Sequence, residues 1–309
     1  MKLIALKDVC KINMGQSPNS SNYNDYGDGM PFFQGNADFG ERYPITRVWC
    51  NTPTKIAQAE DILISVRAPI GALNYAKEEC CIGRGLAAIT PDRNKVSQDF
   101  IYWALKGKKA ELNDKGNGST FKAISRKILE QTMIPDINFE QQHKCAENLE
   151  KIYGIIQNRR KELLALDDLI KARFVEMFGS IHESTKYPYI AVKDLTDVIS
   201  GGTPSRDRSE YWYNGTIPWV KTTELQNNVI KNVDEHITES GLAGSSAKMV
   251  PIGTVLVAMY GQGKTRGMTA YLGIEASTNQ ACACILPSEK IDSMFMWKYF
   301  ELSYDKLRS

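Results

Sequence analysis

The chain has 309 residues, of which 42% are hydrophobic and 24% charged, and its formal net charge is +2. That length suggests two domains with apolar content enough for buried cores, and so small a net charge leaves only a local basic patch as an electrostatic argument for nucleic acid. No apolar window reaches eighteen residues, and Met1-Lys2-Leu3-Ile4-Ala5-Leu6-Lys7-Asp8 is charged too soon for a leader, so a cytoplasmic protein without a membrane span is expected.

From the N-terminus, Lys7-Asp8-Val9 and Gly15-Gln16-Ser17-Pro18 precede a polar, Gly-rich loop over residues 19–29. Short β-branched or apolar runs at residues 61–66 and 86–89 predict strands, and residues 100–112 predict a helix that closes the unit. Residues 139–178 contain no Pro and one Gly, Gly154. There Leu149, Ile156, Leu163, Ile170 and Met177 recur every seventh residue. Ile152 and Leu166 fill intervening positions, and Arg159 and Arg173 interrupt them. This predicts a helix of ~60 Å with a narrow apolar seam suited to one partner helix. Its charges balance, so it reads as a spacer or protein-binding rod rather than a basic DNA-binding helix.

The chain then repeats itself. Lys193-Asp194-Leu195 returns Lys7-Asp8-Val9, and Gly201-Gly202-Thr203-Pro204 returns the first Gly-x-x-Pro, both 186 residues on. Ile217-Pro218-Trp219-Val220 matches Met30-Pro31-Phe32-Phe33, and predicted strands at residues 254–259 and 281–286 match 61–66 and 86–89. Residues 295–307 match the helix at 100–112. The shared order of individually weak matches establishes a duplication.

The seven cysteines, Cys10, Cys50, Cys80, Cys81, Cys145, Cys282 and Cys284, are odd in number and form no C-x-x-C pair. Reduced thiols are expected, with no disulfide framework. With His143, His182 and His236 scattered, neither a metal site nor a cofactor is expected. No catalytic constellation stands out. Residues 258–265 resemble a phosphate-binding loop, but the following residues read as strand and turn, whereas phosphate binding there needs a helix N-terminus.

The Lys-Asp openings, the paired Gly-x-x-Pro motifs and the run Gly116-Asn117-Gly118-Ser119-Thr120-Phe121-Lys122-Ala123-Ile124-Ser125 occur in this order, followed by Ile128, Ile134-Pro135 and Gln141-Gln142. In these features the whole chain resembles the specificity subunit of type I restriction–modification enzymes. The resemblance implies an α+β protein: two repeated, mostly β target recognition domains joined by a long coiled-coil-type helix. On this chain the boundaries would be 1–136, 137–179 for the spacer helix, and 180–309. It also implies a subunit without chemistry of its own that reads a bipartite site in double-stranded DNA. Two methyltransferase subunits would dock on its helices, and a restriction subunit would join through the complex. One departure is expected: the second unit stops at the counterpart of residue 114, before a second linker motif and a second long helix. That leaves self-association through the spacer helix open. It also leaves open an alternative, a truncated interaction or regulatory subunit that binds methyltransferase or dimerises without reading a full site.

Base reading needs donors and acceptors at loop positions, with cations for phosphates. The candidates fall at repeat-matched places. Gln34 and Asn36 match Lys221 and Thr222, and Ser65 and Arg67 match Tyr260, Gln262, Lys264 and Arg266. Arg84 matches Gln280, each just before an apolar strand. Ser119, Thr120 and Lys122 lie in a stretch, residues 106–127, of net charge +5. Tyr23, Tyr26, Trp212 and Tyr213 are expected to pack locally. The partner-helix seam comprises Leu149, Ile152, Ile156, Leu163, Leu166, Ile170 and Met177.

Overall fold

The computed structural model describes residues 2–117, 122–179 and 187–308. It divides into two compact units, Met1–Lys161 and Glu162–Ser309. The fold is α+β: each unit carries mixed sheets, and a long helix runs from Phe139 to Phe178.

In unit 1 the helical turn Leu6–Val9 feeds the strand Cys10–Met14. This strand is the edge of an antiparallel sheet continued by Leu86–Pro91, Ile62–Ser65 and Leu73–Tyr75. Every residue of Ile62–Ser65 is buried, which is why that strand reads as a continuous apolar run rather than an alternating one. A second sheet is built around Met30–Phe33, which pairs antiparallel with Trp49–Cys50 and parallel with Cys80–Ile82.

Unit 2 repeats the four antiparallel strands of the first sheet and adds Asn228–Ile230, parallel to Thr269–Leu272, as a fifth. Val198–Ser200, Cys282–Ile285, Val255–Ala258 and Thr269–Leu272 pair antiparallel in the same order. The register repeats too: Ala88↔Leu63 in unit 1 becomes Cys284↔Leu256 in unit 2. Ile217–Val220 pairs antiparallel with Glu235–Ile237 and parallel with Ser277–Thr278.

Two glycine pairs show why these positions recur. A Cβ on Gly15 would lie 2.1 Å from the carbonyl oxygen of Gly83, and one on Gly201 would lie 2.1 Å from Thr278 Oγ1. Only glycine allows that approach. Gly71 and Gly267 adopt φ of 83° and 85°, the left-handed region that glycine enters without steric cost.

The closing helix of each unit differs from expectation in the same way. It is broken into Gln98–Gly107 and Lys109–Asp114, and into Ser293–Leu302 and Tyr304–Arg308. Lys108 and Ser303 both leave helical geometry, with ψ of 3° and 10°. In unit 2 the Ser303 hydroxyl donates to the Tyr299 carbonyl at 2.7 Å, a local bond that competes with helix continuation. Aromatic pairs hold the first helix to the sheet in both copies: Tyr75 stacks on Tyr102 at 4.6 Å, and Tyr271 meets Trp297 at a tilt at 5.9 Å. Such a pair contributes ~0.5–1.5 kcal/mol beyond its area.

The long helix spans the predicted 40 residues. Asn138 Oδ1 accepts from the Gln141 N–H at 2.9 Å, and Gln141 Oε1 accepts from the Asn138 N–H at 3.4 Å. That reciprocal cap fixes its start. Gly179 at φ 87° ends it, its N–H donating to the Val175 carbonyl. Within unit 1, Gln142 Oε1 accepts from the Ser97 N–H and Tyr153 meets Trp103 edge-on. Within unit 2, Phe174 is buried against Phe178, Phe295 and Tyr299.

All seven seam residues, Leu149, Ile152, Ile156, Leu163, Leu166, Ile170 and Met177, are exposed. So are Ile155, Leu164 and Leu169, which widens the apolar surface beyond a narrow seam. No helix among the described residues is long and apolar enough to cross a membrane.

Candidate nucleic-acid interface

In unit 1 the backbone brings four loops to one end of the sheets. Gln34 O accepts from the Gly85 N–H, and Gly85 O accepts from the Val66 N–H. The Arg84 N–H donates to Ser17 Oγ at 3.2 Å, which attaches the Gly-x-x-Pro loop. The Ala68 N–H donates to Lys122 O at 3.0 Å, and the Ile124 N–H donates to Val66 O, which adds the linker. Gln34, Arg67, Arg84 and Lys122 are therefore gathered, and all four are exposed. Asn36 is half-buried in the short helical turn Asn36–Asp38. Asp38 holds that turn by accepting from the Gln34 and Gly35 N–H groups.

Ser65 does not belong to this exposed set. It is buried, its hydroxyl donates to Pro69 O at 2.7 Å, and it accepts from the Ala72 N–H. With its hydroxyl spent inside the loop, it shapes the turn that presents Arg67 rather than meeting a base. Ser119 and Thr120 lie outside the described residues. The basic stretch around them is also less available than its sequence charge implies. Lys108 and Lys115 both bind Glu111 at 2.6 Å, and their hydrogen bonds hold its carboxyl below the usual carboxylate range. Arg126 pairs with Glu130. Lys106 lies 3.9 Å above the Tyr153 ring, where burial, and then the nearby Arg42 charge, lowers its pKa.

Unit 2 assembles the same end by matching bonds. The Gly202 N–H donates to Thr278 O, the Asn279 N–H to Val220 O, and the Met259 N–H to Ala281 O. The Thr203 hydroxyl bonds Gln280 Oε1, as Ser17 bonds the backbone at Arg84. Tyr260, Gln262, Lys264 and Arg266 are exposed on the loop that replaces residues 66–70. Its base is held by the Tyr304 hydroxyl donating to Lys264 O at 2.8 Å and by Arg308 donating to Arg266 O. The strand Thr269–Leu272 follows, so the helix that a phosphate-binding loop requires is replaced by sheet.

Lys221 and Thr222 are half-buried. Lys221 Nζ sits 3.1 Å from Glu235 Oε1, and that bond raises its pKa. Burial disfavours the Glu235 charge, but the Arg206 and Lys221 bonds outweigh it and hold the carboxyl low. Arg206 in turn lies 3.6 Å from the Trp212 ring, which meets Trp219 edge-on. Lys221 is thus a member of an ion-pair and aromatic cluster rather than an unneutralised cation.

Tyr23 stacks on Phe32 at 4.7 Å, and Trp212 packs as described, as expected for local aromatics. Tyr26 and Tyr213 differ from expectation, with exposures of 78% and 76%. They lie 187 residues apart, in the loops ahead of the two Pro-aromatic strands. Ser17 and Thr203 were also readable only as backbone motif, although their hydroxyls organise Arg84 and Gln280.

The family model for the type I restriction modification DNA specificity domain matches residues 1–166 and 184–309. The chain belongs to this family. It is 47% identical over 152 residues to a putative type I restriction enzyme MjaX specificity subunit of Methanocaldococcus jannaschii, covering 49% of this chain and 36% of that protein. It is 24% identical over 270 residues to the MjaIX specificity subunit of the same organism, covering 79% and 62%. The chain thus spans between about a third and two thirds of these relatives. A solved type I R-M system complex matches 55% of this chain and 43% of its own at 40% identity, with a TM-score of 0.51. An S subunit from M. genitalium shares the fold over 99% of this chain and 78% of its own, with a TM-score of 0.58 at 14% identity.

Proposed function

We propose that the chain is a DNA sequence-specificity subunit of a type I restriction–modification system, with one half-site read by each unit and no chemistry of its own. Gln34, Asn36, Arg67, Arg84 and Lys122 would meet one half-site. Tyr260, Gln262, Lys264, Arg266 and Gln280 would meet the other, with Thr222 at its margin. The observation that carries this reading is one topology used twice, with loops of different chemistry at the same end of each sheet pair. Arg pairs guanine bidentately, whereas Gln pairs adenine, so Arg84 and Gln280 at one structural position select different bases. Functional segments of 1–136, 137–179 and 180–309 follow from this division of labour. The exposed seam would dock methyltransferase subunits, and a restriction subunit would join through them.

The test is a gel shift with randomised duplexes, with and without the methyltransferase subunit. Selection of a two-part sequence by the complex is the expected result. A second reading, an interaction or regulatory subunit that binds methyltransferase or dimerises through the helix, is favoured by the exposed seam alone. Stable methyltransferase binding with no sequence selected would establish it instead.

A further inference from the structure

The unit 2 loop that carries Tyr260, Gln262, Lys264 and Arg266 is fixed at both stems by backbone bonds. The Met259 N–H donates to Ala281 O, and the Gly267 N–H donates to Ala258 O. Between the stems the Thr265 N–H turns back onto Gln262 O at 3.3 Å. Gly261 and Gly263 lie in the same stretch, and Gly263 adopts φ 59°, so the backbone there has more conformations open to it than other residues would allow. The helix Tyr304–Arg308 removes part of that freedom. The Tyr304 hydroxyl donates to Lys264 O at 2.8 Å, and Arg308 Nη1 donates to Arg266 O at 3.3 Å. Arg308 Nη1 also donates to the Tyr304 hydroxyl at 2.6 Å, so the two half-buried side chains brace each other. This contact sits on a shared piece of scaffold. A Cβ on Gly267 would lie 3.2 Å from Arg308 Cγ, and one on Gly71 in unit 1 would lie 3.1 Å from Lys109 Cγ, at the start of the matching helix.

We propose that Tyr304 and Arg308 are positioning residues for base selection by unit 2. They meet no base themselves and set the preference through the backbone of Lys264 and Arg266. The carbonyls of those two residues are taken up by the helix while their side chains stand exposed. A guanidinium pairs a base edge bidentately only from a restricted position, whereas a cation attracts phosphates from many. Loss of the brace therefore blurs base choice and leaves the charge attraction in place. The inference rests on the DNA reading above and adds to it the residues that aim one of its loops.

The test offers a pool of randomised duplexes to the full chain with the methyltransferase subunit and follows amide hydrogen exchange in the free chain. Tyr304→Phe removes one hydroxyl and no charge. It should lower base discrimination by about tenfold in one half-site and leave the other half-site as it was. Exchange at Thr265, Gly267 and Met268 should quicken while unit 2 melts at the same temperature. Arg308→Ala should act likewise with no change in the slope of log affinity against log salt, and Arg308→Lys, which keeps a donor, should restore the preference. Arg308→Ala decides the matter should Tyr304→Phe lower the melting temperature. Selection and loop exchange unchanged in both variants overturn the proposal. A slope reduced by about 1 in Arg308→Ala also overturns it, because Arg308 would then meet a phosphate directly. Blurring of both half-sites overturns it as well. A wild-type complex that selects no sequence sinks the DNA reading and this inference together, whereas variants that select as the wild type does sink this inference alone.

Discussion

Unit 1 and unit 2 share the order and register of four antiparallel strands, the Gly-x-x-Pro approach and the broken closing helix, yet they spend their polar residues differently. At the position after the Pro-aromatic strand, unit 1 has exposed Gln34 and unit 2 has Lys221 held by Glu235. At the turn after the central strand, unit 1 has a short loop anchored by buried Ser65, and unit 2 has a longer one carrying Lys264 and Arg266. The scaffold is therefore set by backbone bonds and apolar register, which tolerate any loop that closes. The proposed base reading rests on the loops that the scaffold leaves free.

The comparison also separates what sequence reveals from what it hides. Heptad spacing and the absence of Pro placed the long helix over residues 139–178, because those signals are local. The duplication was legible because each matched glycine answers a steric demand that no other residue meets. Side-chain commitments were not legible. Arg42 pairs with Glu150 and lies about 5 Å from the rings of Tyr102, Trp103 and Tyr153, partners far along the chain that no local pattern links. Likewise the burial of Ser65 and the neutralisation of Lys221 depend on neighbours brought in by the fold.

The strongest challenge to this picture falls on the long helix over residues 139–178. Leu163 is 63% exposed, so Leu163→Asp should alter the stability of the isolated chain by less than about 0.5 kcal/mol. Assembly with methyltransferase should be lost on size-exclusion chromatography. Normal assembly would remove the docking role from the seam. Next in size is a contrast between the cores. Leu129→Ala should destabilise unit 1 by about 2–5 kcal/mol, since Leu129 is fully buried. Val198→Ala should cost under about 0.5 kcal/mol in unit 2. Denaturant melts followed by hydrogen exchange in each unit would measure both, and equal losses would mean that the two cores are completed alike.

A smaller effect sharpens the division into two half-sites. Arg84→Ala should weaken binding by about 1–3 kcal/mol and relax base preference at one position of one half-site only. Gln280→Ala should do the same in the other half. Binding selections with each variant would show this directly, and relaxation of both halves by either change would mean that the units do not read independently.

The smallest effect distinguishes two lysines of unit 2 that sequence alone would treat as equals. Lys264 is exposed on a loop whose base is tied to the closing helix through its own carbonyl, so its ammonium is available to a phosphate. Lys264→Ala should weaken binding evenly across sequences and reduce the slope of log affinity against log salt by about 1. Lys221 already has its charge matched by Glu235, with Asp234 at 3.5 Å. A neutralised ammonium displaces no counterions from DNA, so Lys221→Ala should leave the salt slope unchanged. Affinity titrations at several salt concentrations would measure both slopes. If the Lys221 variant lowers the slope as much as the Lys264 variant, the acidic pair must release Lys221 on binding, and the loop chemistry of unit 2 would be closer to that of a general phosphate clamp than to a reader of bases.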